Sequence, residues 1–139
     1  MVYKQSGNDY ILRIDKDEDV SKVINDFCKN TNISCGTIRG IGAAKDVKIG
    51  RFETQTKEYV AIELKGDFEI LELNGNITTM NGEPYVHIHA VFSDEKFHSF
   101  GGHLNRAIIS TTCEVIIHAI NSVVEREFSN EIGLFLFKL

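Results

Sequence analysis

With 139 residues, 42% of them hydrophobic and 25% charged, the chain has the composition of a soluble globular domain and is long enough to bury a core without covalent staples. Its net charge is −5, from 15 Lys and Arg against 20 Asp and Glu, and the basic residues are scattered singly among acids, which argues against a protein that holds DNA mainly by neutralising phosphates. Three cysteines, Cys28, Cys35 and Cys113, show no CxxC spacing, so they read as buried small hydrophobes rather than a disulfide framework or a thiolate zinc knuckle.

The opening MVYKQSGNDYILRID lacks the basic start and unbroken apolar run of a secretory signal, and no later run reaches membrane-spanning length. A cytoplasmic location is expected. Tyr10, Leu12 and Ile14 alternate at period two and predict a first strand. In DKDEDVSKVINDFCKNTN, Val20, Val23, Ile24, Phe27 and Cys28 recur at helical spacing behind an acidic start that suits a helix N-terminus.

After this helix come short β-rich runs separated by glycine: GTIRGIG, DVKIGRF, EYVAIEL, FEILELNGNITTM, YVHIHAVFS, TCEVIIHAIN and LFLF. Most joins are too short for the helical crossovers of parallel strands. The expected class is therefore α+β, a single domain over residues 1–139 with a largely antiparallel sheet flanked by one or two helices. Asn81-Gly82 predicts a type I′ hairpin that pairs the strand through Ile77 with the strand carrying His87 and His89. FSDEKFHSFGGHLNRA is expected to hold a turn and a short helix.

Four of the five histidines fall in VHIHAVFSDEKFHSFGGHL, residues 86–104. On a strand, Val86, Ile88, Ala90 and Phe92 point to the core, while His87, His89, Val91 and Ser93 point the other way. The Cα atoms of two residues so placed lie roughly 6.5–7 Å apart, and two imidazoles can close that span onto one ion at Zn–N distances of about 2.0–2.1 Å. His103 is the candidate third ligand, because Gly101 and Gly102 before it allow a sharp bend and a close backbone approach. His98 reads as part of an exposed turn, and His118, which faces the same way as Glu114 and Ile116, as a satisfied strand histidine. Three histidines plus water would form an open coordination sphere, with zinc leading and nickel, copper or iron also suited to imidazole. A cupin reading would draft Glu95 as a ligand, but no proline follows Pro84 to complete that motif. A Cys–His nucleophile is disfavoured because Cys113 alternates with Val115 and Ile117 on an apolar face.

GDFEILELNGNI at 66–77, GEPYVHIHAVFSD at 82–94, GGHL at 101–104 and TTCEVII at 111–117 together resemble the plant-and-prokaryote-conserved, or PPC, domain. The resemblance implies an antiparallel α/β domain assembled as a homotrimer, with metal held in some members by histidines matching His87, His89 and His103. Glu114 also falls in a motif position, where it could orient a metal-bound imidazole. In plants a similar domain follows an AT-hook arm. Here Arg39-Gly40 is followed by Ile41 and no such arm is present.

Three functions follow from these readings. One is a homotrimeric module that binds zinc, another divalent transition metal or a small ligand, with a small molecule or a protein as its partner. Another is a metal-dependent hydrolase or lyase, whose ion-bound water would need a base such as Glu114, Glu69 or Asp94. The last is a DNA-associated regulator, although direct DNA binding is disfavoured without an AT-hook.

Overall fold

The computed structural model describes residues 1–139. Its elements are β1 (Val2–Ser6), β2 (Asp9–Asp15), α1 (Val20–Asn30), β3 (Gly36–Glu53), β4 (Glu58–Met80), β5 (Glu83–Ser93), β6 (Ser99–Ala119), β7 (Arg126–Ser129) and β8 (Leu134–Phe137). The main sheet runs β1-β2-β6-β3-β4-β5, and β5 also pairs with β6, so β3, β4, β5 and β6 close into a ring. Every strand pairing is antiparallel. The α+β class and the antiparallel sheet expected from sequence are both found, with one helix.

The helix forms where its apolar stripe predicts. Asp19 caps it by accepting a hydrogen bond from the Ser21 amide, and Val20, Ile24, Phe27 and Cys28 are buried. It ends in a Schellman arrangement. Asn32 takes the left-handed conformation, its amide donates to Lys29 O, and the Ile33 amide donates to Cys28 O.

The glycine-separated runs are not separate strands. GTIRGIG and DVKIGRF form the single 18-residue β3, and EYVAIEL and FEILELNGNITTM the single 23-residue β4. Gly40 and Gly42 flank a register shift against β4, where an irregular ladder bends the strand without ending it. Such shifts recur between Ala44 and Asp46 and, along β4, between Ile70 and Glu72. They supply the bending that lets four strands close on themselves. Leu73, Ile77, Phe92, Ile109 and Ile117 fill the core, with α1 packed over β5 and β6.

Two further expectations are corrected. The strand at Tyr10 is the second, since VYKQS already forms β1; that strand is exposed on both faces and has no apolar alternation to reveal it. The segment FSDEKFHSFGGHLNRA holds a turn but no helix, and from Ser99 onward it is extended β6. Asp94 carboxylate oxygen Oδ1 accepts from the Lys96 and His98 amides and so folds the turn locally. The Asn81-Gly82 hairpin is found as expected, both residues at positive φ, with Ile77 opposite Val86.

Candidate metal centre

Strand register builds the histidine site. Along β5, Ile88, Ala90 and Phe92 are buried, which turns His87 and His89 to the opposite face. On β6, His103 lies directly opposite His89. One ligand atom from each of His87, His89 and His103 lies within 4.8 Å of the others, and the ring centroids are 4.9–5.6 Å apart. All three candidate ligands read from sequence are thus brought together.

The glycines before His103 act by close approach alone, not by a bend. Neither adopts positive φ. A Cβ on Gly101 would lie 2.5 Å from Ala90 O, and one on Gly102 would lie 2.7 Å from Gly50 O. Side chains there would push β6 off both neighbours. Gly50, opposite His103, serves the site differently: a Cβ at that position would collide with the Tyr59 hydroxyl. Its absence lets the Tyr59 ring meet His103 edge-on at 5.9 Å, while the hydroxyl donates to Asn105 Oδ1 at 2.7 Å.

On the other flank, Asn74 is opposite His89 and Asn76 opposite His87, so both amides border the imidazoles. Asn74 Nδ2 donates to Glu72 Oε1 at 3.1 Å, and Asn76 Oδ1 accepts from Arg126 at 2.9 Å. Burial, then the neighbouring charges of His103, His89 and Arg126, push the His87 pKa down to about 4. His103 is also shifted down, by burial and then by His89. Imidazoles so biased stay neutral at ordinary pH, which is the form that ligates metal.

The other candidates lie elsewhere. Glu114, considered as a partner for a metal-bound imidazole, stands far along β6, opposite Arg13 and Ile41. With Glu69 it lines a separate cleft that includes Thr112 and Ile41. Asp94 is committed to its turn, where it also pairs with exposed His98 at 3.3 Å. None of the three carboxylates considered as a base belongs to the group formed by His87, His89 and His103. His118 pairs with Asp9 at 2.7 Å on the exposed side of β6. All three cysteines are buried, and burial pushes the Cys28 and Cys113 thiols up to about 12.

Sequence reasoning missed Arg126 and Tyr59. A lone arginine in VEREFS carries no motif, and Tyr59 is one aromatic in a run that reads as ordinary strand. An open groove of about 850 Å³ includes none of the three histidines. It lies on the outer sheet face and is lined by Tyr3, Ile11, Ile41, Leu71 and Ile116, with Arg39 and Glu114 among the polar groups.

Comparison with known proteins agrees with this fold. No curated protein matches the chain. Among solved structures, a "putative DNA-binding protein" of Bacteroides thetaiotaomicron superposes with a TM-score of 0.96 at 31% identity, over 99% of this chain and 96% of its own. A metal-containing protein of Archaeoglobus fulgidus gives 0.90 at 33% identity, over 100% and 99% of the two chains. A plant- and prokaryote-conserved protein of Pyrococcus horikoshii gives 0.87 at 34%, over 99% and 95%. The family model for the Plants and Prokaryotes Conserved (PCC) domain matches residues 1–121. With its antiparallel ring and clustered histidines, the chain belongs to the Plants and Prokaryotes Conserved domain family.

Proposed function

We propose that the chain is a homotrimeric metal-binding module in which His87, His89 and His103 hold zinc, or another divalent transition metal, and leave the remaining coordination open to a small ligand. The observation that carries this reading is the convergence of three imidazoles within 4.8 Å. Around a tetrahedral zinc at about 2.0–2.1 Å, ligand nitrogens sit about 3.3 Å apart, so modest side-chain rotation closes the site. The metal-containing relative from Archaeoglobus fulgidus supports it.

When bound, such an ion supplies a Lewis acid. The chain's own part is to hold three imidazole nitrogens on rigid strands. With Glu114, Glu69 and Asp94 all outside the three-histidine group, a binding module is favoured over a hydrolase or lyase. The homotrimer draws support from the exposed apolar groove around Tyr3, Ile11, Ile41, Leu71 and Ile116, since contiguous apolar surface of this kind marks interaction sites.

The name of the Bacteroides relative favours a second reading, a DNA-associated regulator. The net charge of −5 weighs against direct phosphate contact. The test is elemental analysis of the untagged protein beside a His87→Ala/His89→Ala double variant, with native mass measured on both. Near-stoichiometric metal in the parent, lost from a folded variant, and a mass of three chains are expected. A metal-free parent after loading would overturn the reading, and salt-sensitive binding of duplex DNA by that metal-free protein would favour the second.

A further inference from the structure

Arg126 opens β7, beyond the residues 1–121 that the family model matches. Only 9% of it is exposed, yet it takes part in no ion pair. Its Nε donates to Thr78 Oγ1 at 2.8 Å, and its two terminal nitrogens donate to Phe135 O and Asn76 Oδ1, each at 2.9 Å. All three acceptors are neutral. The guanidinium also stacks 4.9 Å from the Tyr85 ring centroid and 4.8 Å from that of Phe137. A buried charge is ordinarily paired with an opposite one, and the guanidinium here retains donors beyond the three in use.

Register puts this charge beside the histidines. Asn76 stands opposite His87 and Thr78 opposite Tyr85, so all four side chains share one face, and Arg126 lies across them. A divalent ion on the three histidines would add a second cationic centre to this face. Glu72, on the same face of β4, bonds Asn74 and not Arg126, so the guanidinium is left without a protein anion of its own.

Resting on the metal-binding reading above, we infer that Arg126 is the anion-recognition residue of the histidine site, selecting a small oxyanion, a carboxylate or a phosphate, that takes one of the metal's open positions. Lysine would not substitute fully, since the planar guanidinium is what the three acceptors and two rings hold in place.

The test loads the full chain with cobalt(II) and follows its visible absorption during titration with oxalate and, separately, with inorganic phosphate. The spectrum is expected to change with at least one of them, and the comparison of the two identifies the class. Arg126→Gln should weaken that anion about tenfold or more, as loss of a charge-assisted contact does. Its cobalt affinity should be unchanged or higher, because a like charge has been removed. An arginine that only pins β7 and β8 would instead lower both affinities together, and that outcome overturns the inference. If Arg126→Gln does not fold, Arg126→Lys decides: weakened anion binding at unchanged cobalt affinity supports the proposal, and anion and cobalt affinities that fall together, or an anion affinity that does not change, overturn it. Cobalt uptake with no response to either anion overturns this inference alone. No cobalt uptake overturns the metal site and this inference with it.

Discussion

Lowering the pH from about 7 to about 5.5 is expected to weaken zinc binding by no more than about 70-fold. Three ordinary imidazoles of pKa about 6.5 would each lose about 0.9 of a power of ten over that interval to proton competition, about 600-fold in all. His87 is removed from this competition, because burial and the charges around it push its pKa down to about 4. His103 is shifted in the same direction, so the loss should fall below the two-ligand limit. The assay is competition with a chromophoric chelator of known proton affinity at the two pH values. A loss near 600-fold would mean that His87 titrates as an exposed imidazole and would refute the burial argument. The metal-free protein offers a second readout with a definite sign. Because the folded pKa of His87 lies below its unfolded value, the unfolded chain binds more protons between about pH 6.5 and about 4. Stability should therefore fall as pH drops through that window and level off below it. With discounting for partial solvent access, the loss is on the order of 1–2 kcal/mol.

The remaining predictions concern the same strands. Zinc at about a thousand times its dissociation constant should stabilise the parent by about 4 kcal/mol, seen as a rise in Tm, and the His87→Ala/His89→Ala variant should show no rise. Gly102→Ala should destabilise the fold by about 1–3 kcal/mol in chemical denaturation, since its methyl group would meet Gly50 O at 2.7 Å and both partners are ladder backbone. A cost below about 0.5 kcal/mol would mean that β6 can shift away from β3 freely. Cys28 and Cys113 should resist alkylation at neutral pH until denaturant is added, because burial raises both thiols to about 12. Labelling of the native protein at the rate of a free thiol would contradict their burial.

The parts legible in the sequence were those written in local periodicity. The stripe of α1, the Asn81-Gly82 turn and the inward face of β5 each follow from spacing within a dozen residues. The alternation along β5 determines which way His87 and His89 point, which is half of the site. The other half depends on register between strands distant in sequence. His103 opposes His89 only because β6 is extended from Ser99, where the sequence also suited a turn and helix. Strand lengths were misread for a related reason. Glycines at 40, 42 and 50 look like breaks, yet two of them mark a bent ladder and the third clears space for Tyr59. Glu114 was placed near the histidines by its motif neighbourhood, but a long strand carries it to a different cleft. Arg126 had no local signal at all, because its significance lies in acceptors on β4 and β8.

The closed ring explains why such a site can be firm without a loop to hold it. His89 and His103 are a directly opposed cross-strand pair, whose Cβ atoms are separated by about 4.5–5.5 Å through backbone geometry alone. His87 precedes His89 by two residues along β5, and β5 is bordered by β4 on one side and β6 on the other. Ladder hydrogen bonds therefore set the three Cβ positions, and side-chain rotation is the freedom left to adjust. A site of this kind loses little conformational entropy on binding. The groups at its rim come from elsewhere: Tyr59 from the arm formed by the outer parts of β3 and β4, and Arg126 from the β7–β8 hairpin. These two hairpins touch each other, since Lys57 Nζ donates to Asn130 O at 3.0 Å. On the reading proposed above, the ring determines that an ion is bound, and the paired hairpins determine which ligand joins it. Substitutions in the ring should then alter metal content, whereas substitutions in the hairpins should alter ligand preference at constant metal content.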